Sequence, residues 1–281
     1  MSPLSNRHVR LAVRPDAVRA GVWRRWPRPE CLAEVSVALE PEQGGTGAEA
    51  QALRQALDQL AGKAPLAGKT LHVELADALA HFDVVEGDFA ALGSPTLASF
   101  AEACVTELLG DQAAQHIVRW QLQRDEKHLL VCALPRRWLE AVNSAAAAHR
   151  LTLASLRPAF DQQWNHHLGG APFADGVFAV AEGVDVLVAC VRKGVISALS
   201  NGPWFSDSSE FSDSTVDRLL AGMGLAGKDT AALIDLHVDR LLAGLGVDPE
   251  APARYVLVSG APPNVYLSPR WAVHAPWGAH P

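Results

Sequence analysis

Residues 176–199, GVFAVAEGVDVLVACVRKGVISAL, read as strand, turn, strand, turn, strand. Near-continuous Val, Ala, Leu and Ile runs are broken only at Glu182-Gly183 and at Lys193-Gly194, where short loops turn the chain back. The start of the chain repeats the pattern in 8–26, HVRLAVRPDAVRAGVWRRW, with Arg14-Pro15-Asp16 in the first turn. Two such hairpin-rich openings, each followed by helices, predict two related α/β lobes with mixed sheets flanked by helices.

The elements between them follow from periodicity. CLAEVSVAL (31–39) adds a third strand, and 48–61 predicts a helix with Ala52, Leu53, Ala56, Leu57 and Leu60 on one apolar face. LHVELAD (71–77) alternates as a strand, and 97–110 predicts an amphipathic helix, with Ser94 or Thr96 before it and Gly110 at its end. HIVRWQLQ and KHLLVCAL form a hairpin around Arg124-Asp125-Glu126, and Pro135 opens a helix from its first turn. LTLASLRP is a strand and AFDQQWNHHLG a short helix; Gly169-Gly170-Ala171-Pro172 then marks a boundary, giving lobes 1–170 and 171–281. Beyond residue 203 the pattern predicts a helix at 229–246 and a buried strand at 254–260.

Composition narrows the function. The chain has 281 residues, 49% of them hydrophobic, and a formal net charge of −7, which argues against a broad nucleic-acid surface. Arg19, Arg24, Arg25 and Arg28 are a local exception on the first hairpin. Four cysteines stand far apart without a C-x-x-C pair, as small buried hydrophobes in a reducing compartment. The N-terminus lacks an apolar signal core, and no apolar run approaches the length that crosses a bilayer. No G-x-S-x-G elbow is present, and no Walker loop or G-x-G-x-x-G follows a strand. Asp235, His237 and Asp239 cannot converge on one helix, because His237 points away from both carboxylates.

Two stretches carry a family resemblance. LHVELADALAHFDVV (71–85) resembles the strand ending in a small residue and Asp, followed by a second strand, of GspL cytoplasmic domains. LLVCALPRRWLEAVNSAAAAHRLTLASLRPAFDQQWN (129–165) is similar to the strand, Pro, helix, strand and P-A-F-helix run that GspL shares with the pilus protein PilM. Both belong to the actin-like, or RNase H-like, superfamily. The resemblance spans residues 8–200 and continues by topology alone over 201–281. It implies an actin-like two-lobed fold, in a stand-alone soluble member lacking the membrane helix and periplasmic domain of GspL.

Actin-like sites cradle phosphates on the backbone N–H groups of two Gly-bearing turns, with acidic residues placing a metal. Here the first turn holds Arg14, Pro15 and Asp16, and the proline removes a donor. The second holds Glu182 and Gly183, with Asp185 two residues on, and the third is Ser259-Gly260 before Ala261-Pro262-Pro263. All three depart from the pattern together, so the resemblance implies a pseudo-ATPase: no catalytic residue, no cofactor and no metal. The implied role is a cytoplasmic scaffold of a type II secretion or type IV pilus-like assembly. It would bind an inner-membrane partner or the assembly ATPase, peripheral to the inner membrane through a partner and without inserting, with a homodimer left open. A divergent nucleotide-binding ATPase of the same fold is the alternative. Eight tryptophans stand against two tyrosines, and Trp23, Arg24, Arg25 and Trp26 form the expected protein-binding patch.

Overall fold

A computed structural model describes residues 7–25, 28, 30–39, 48–168, 175–182, 185–203, 238–239, 242–243, 255–259 and 271–274. Strands β1 (Arg7–Val13), β2 (Ala17–Arg24) and β3 (Glu30–Ala38) precede helix α1 (Ala48–Lys63) and strand β4 (Thr70–Leu75). There follow β5 (His81–Glu86), α2 (Ser94–Leu109), β6 (His116–Leu122), β7 (His128–Pro135), α3 (Arg136–Ala148), β8 (Thr152–Pro158) and α4 (Ala159–Leu168). The last strands are β9 (Gly176–Glu182), β10 (Asp185–Arg192), β11 (Val195–Pro203), β12 (Tyr255–Ser259) and β13 (Trp271–His274). Residues 238–239 and 242–243 are helical, within the helix expected at 229–246; the rest of that helix lies outside the described residues.

The chain divides into two compact units that interleave in sequence. The first comprises Met1–Ala80, Glu102–Val118 and Ala133–Gln162; the second comprises His81–Ala101, Arg119–Cys132 and Gln163–Pro281. Compactness therefore draws other borders than the Gly169-Gly170 segment, because the chain leaves its first sheet after β4 and returns to it only at β8.

In the first unit a five-stranded sheet has the order β3-β2-β1-β4-β8. Hairpins join β1, β2 and β3 antiparallel, and β4 and β8 add in parallel to β1 and to each other. Alternation puts Val9, Leu11 and Val13 of β1 and Leu71, Val73 and Leu75 of β4 in the core. The apolar face of α1 read from sequence, Ala52, Leu53, Ala56, Leu57 and Leu60, is buried throughout. In α3 the residues Trp138, Val142, Ala145 and Ala146 recur at helical spacing and are buried, and α3 lies beside α1 and β8.

In the second unit the order is β11-β10-β9-β12-β13. One face of β9 and β10 (Val177, Ala179, Ala181, Val186, Val188 and Cys190) packs with Val238 and Leu242, spaced one helical turn apart. The other face is also buried, and Trp164 meets Phe178 edge-on at 5.3 Å between ring centres. Burial on both faces is why residues 176–191 read as unbroken apolar runs rather than as alternation. Between β4 and α3 lies a three-stranded sheet in the order β5-β7-β6, with α2 joining β5 to β6.

Two boundaries differ from those expected. Helix α2 starts at Ser94 rather than at residue 97, because Pro95 falls in its first turn, where a missing N–H breaks no helical bond. Pro135 ends β7 and caps α3 rather than occupying its first turn. Gly110 has φ +55°, the left-handed conformation anticipated after the helix. Of the cysteines only Cys190 is buried, its thiol pushed up to about 11 by that burial; Cys31, Cys104 and Cys132 are half-buried, contrary to expectation. Among the described residues no helix is long and apolar enough to cross a membrane.

The β10–β11 turn shows how the second unit is tied. Lys193 and Gly194 have φ of 52° and 73°, the two left-handed positions of a tight hairpin. Gln123 donates from Nε2 to Ile196 O at 2.6 Å and accepts at Oε1 from Ile196 N at 2.8 Å, while Arg124 donates to Lys193 O. A Cβ on Gly194 would run into the Arg124 guanidinium. Gly194→Ala is therefore expected to cost about 1–2 kcal/mol, from left-handed strain and the displaced Arg124 bond. A thermal-unfolding midpoint within a degree of the parent would count against it.

Candidate functional site

The nominated turns lie at the ends of the two sheets. In the first unit the β1–β2 turn is closed by Arg14 N donating to Ala17 O at 2.8 Å. Pro15 brings no N–H, and Asp16 O accepts from Leu39 N at 2.7 Å, tying the turn to the end of β3. The Arg14 guanidinium pairs with Glu74 on the neighbouring β4 and also reaches Val13 O at 3.5 Å. Asp16 is exposed at the turn tip. The turn thus presents a cation already held by a carboxylate, and its Arg14 N–H is engaged within the hairpin.

Beside it the chain leaves β4 through Ala76, whose N donates to Val13 O at 2.8 Å. The next residue, Asp77, opens a single 3-10 turn and is buried. Its Oδ1 accepts from Phe160 N at 2.9 Å, so it caps the first turn of α4 from a distant part of the chain. Glu74 and Asp77 were not among the nominated site residues. The signal for them was present in LHVELAD, where two acids punctuate an apolar strand and each needs a partner once buried.

In the second unit the β9–β10 hairpin sets Glu182 opposite Asp185, and parallel pairing sets Ser259 beside Ala181. Glu182, Asp185 and Ser259 therefore gather at one end of this sheet. Burial raises the Asp185 carboxyl above its ordinary value. Gly183, Gly260 and Trp26 lie outside the described residues. Among the described residues no three His, Cys, Asp or Glu side chains cluster so as to hold a metal.

The expected protein-binding patch is partly reassigned. Trp23 is buried: a bulge between Val22 and Trp23 shifts the β2–β3 register, and the Arg10 guanidinium sits 4.8 Å above the indole. Arg24 pairs with Glu30 across the hairpin. Arg25 stays exposed and reaches over β1 to His72 Nε2 at 3.1 Å, while His72 Nδ1 lies 2.9 Å from Ser155 Oγ.

No protein-family model matches the chain, and no curated protein matches it. Solved structures do match. The "PilM-PilN type IV pilus biogenesis complex" superposes with a TM-score of 0.65 at 13% identity, over 98% of this chain and 90% of that one. The cytoplasmic domain of EpsL, an inner membrane component of the type II secretion system of Vibrio cholerae, gives 0.51 at 14% identity, over 96% and 89%. A Bacteroides thetaiotaomicron protein of actin-like ATPase fold and unknown function gives 0.52 at 8% identity, over 92% and 83%. The chain has the actin-like fold. At these identities the likeness is one of fold alone.

Proposed function

We propose that the chain is a non-catalytic scaffold of a type II secretion or type IV pilus-like assembly, working on the cytoplasmic side through protein partners. The observation that carries the reading is the β1–β2 turn. A phosphate cradle needs converging backbone donors and close backbone approach. Here Arg14 N is engaged by Ala17 O, Pro15 has no N–H, and the Arg14 side chain is held by Glu74. The pilus and secretion contexts named for two proteins of the same fold support the setting. The partner surface in this reading is the hairpin around Arg24 and Arg25, with Trp23 as its buried support.

Calorimetry and thermal unfolding with millimolar ATP or ADP and Mg²⁺ test this. No heat of binding and an unchanged midpoint are expected, since a ligand that binds only the native state raises apparent stability. A rise of several degrees would overturn the pseudo-ATPase reading.

The second reading is a divergent nucleotide-binding protein of the same fold. It draws on the gathering of Glu182, Asp185 and Ser259 at one sheet end. In that case Glu182→Gln together with Asp185→Asn would abolish the nucleotide-induced rise.

A further inference from the structure

The end of the first unit's sheet remote from the Arg14 turn gathers positive charge. Strand register places Arg24 opposite Arg7, and His8 beside Thr70. Thr70 in turn lies beside Thr152, while Gly68 N donates to Arg150 O and Thr152 N to Lys69 O. Arg24, Arg7 and Lys69 thus form one row across neighbouring strands, with Arg25 and Arg150 at its margin. The carboxylate at this end of β3, Glu30, is taken by Arg24. The whole chain carries −7, so the positive field is local to this end.

The neighbouring imidazoles are perturbed by burial and by Arg10 and Arg25. Burial first, then Arg10 and Arg25, hold His8 down to about 4; burial, then Arg25, Arg10 and Arg157, lower His72. Lys69 is lowered by burial and by Arg7.

Arg25 is set up to receive an anion. A guanidinium only donates, so His72 accepts at Nε2, carries its proton on Nδ1 and donates to Ser155 Oγ. The exposed Arg25 is therefore held by a neutral ring and forms no ion pair among the described residues. An arginine fixed in this way loses less freedom on engaging a carboxylate, which it can grip through two parallel N–H bonds.

We propose that this end of the sheet docks an acidic segment of a protein partner, whose carboxylates are received by Arg25 and Arg150 in the field of Arg7 and Lys69. The proposal rests on the scaffold reading and names the chemistry of its partner. Five strands at about 4.8 Å spacing span about 19 Å, the reach of about six extended residues. That suits a short peptide, whereas the negative charge of the rest of the chain opposes a long nucleic acid.

The test uses the full chain and a fluorescein-labelled octapeptide of alternating Glu and Ser, followed by fluorescence anisotropy at low salt. Binding is expected to weaken by about tenfold or more in the Arg25→Glu, Arg150→Glu double variant, corresponding to one decade of Kd. His72→Ala, which frees Arg25 without removing charge, is expected to weaken it severalfold. Arg54→Glu, on the exposed side of α1, is expected to leave it unchanged, and a Gln-Ser octapeptide is expected not to bind. Should the double variant unfold at a lower temperature than the parent, Arg25→Gln carries the comparison. Absent binding, equal binding to the double variant, or tighter binding of an eight-nucleotide oligothymidine would each overturn the proposal. Those failures would leave the nucleotide result untouched, and nucleotide binding would overturn the scaffold reading without altering the peptide result.

Discussion

Replacing Trp138 by alanine is expected to cost about 3–5 kcal/mol, enough to consume much of the stability of an ordinary domain. Trp138 is 2% exposed and begins the buried stripe of α3 that continues through Val142, Ala145 and Ala146. Truncation removes the largest side chain of that face and leaves a void that neighbouring helix and sheet cannot fill without moving. The indole N–H has no hydrogen-bond partner among the described residues, an unusual state for a buried tryptophan. Trp138→Phe therefore loses apolar area but also removes an unsatisfied donor, and the two effects nearly offset, within about 1–2 kcal/mol. Urea unfolding followed by circular dichroism separates the variants, with two-state behaviour checked first because the chain holds two compact units. A loss below about 1 kcal/mol for Trp138→Ala would show that the site collapses freely.

Acid is expected to destabilise the protein through His8 before most carboxylates titrate. His8 is buried, its Nε2 accepts from Arg10 Nε at 3.0 Å, its ring meets His72 edge-on at 5.5 Å, and its Nδ1 has no partner among the described residues. Burial, then Arg10, Arg25 and His72, oppose its protonation and lower its pKa from 6.5 to about 4. Between these two values the unfolded chain binds the proton and the folded chain does not. Stability therefore rises with pH across that window and is lost as pH falls from about 6.5 towards 4. The shift corresponds to about 2–3 kcal/mol once solvent screening near the exposed arginines is allowed for. Unfolding free energies at pH 7.5 and 4.5 should fall more steeply for the parent than for His8→Phe, which keeps the ring and removes the titration. Equal slopes would sink the assignment.

Most of the secondary structure was legible because it follows from local pattern. The strands of residues 7–38, 116–135 and 176–199 and the apolar face of α1 are each shorter than a dozen residues, and backbone geometry alone sets their periods. The end of α2 was legible in Gly110. Its start was not, because Pro95 reads as a breaker unless it is known to sit in a first turn. Which of the two hairpin tryptophans is buried was not legible: Trp23 sits at a bulge after Val22 that a count of alternating positions does not reveal.

The β1–β2 turn was legible in the sequence at Arg14 and Pro15. Its partners were not. Arg14 meets Glu74 from 60 residues away, Asp77 meets Phe160 across 83, and Arg25 reaches His72 across 47. Periodicity assigns a residue to a face of its own strand or helix, because side-chain direction is a property of neighbouring bonds. Which acid lies beside which arginine depends instead on the parallel register of β1, β4 and β8, set by long connections and by core packing. Local pattern therefore settles what the elements are. The assembled sheets settle that Arg14 is already paired, that Trp23 is buried, and that the positive end of the first sheet forms at all.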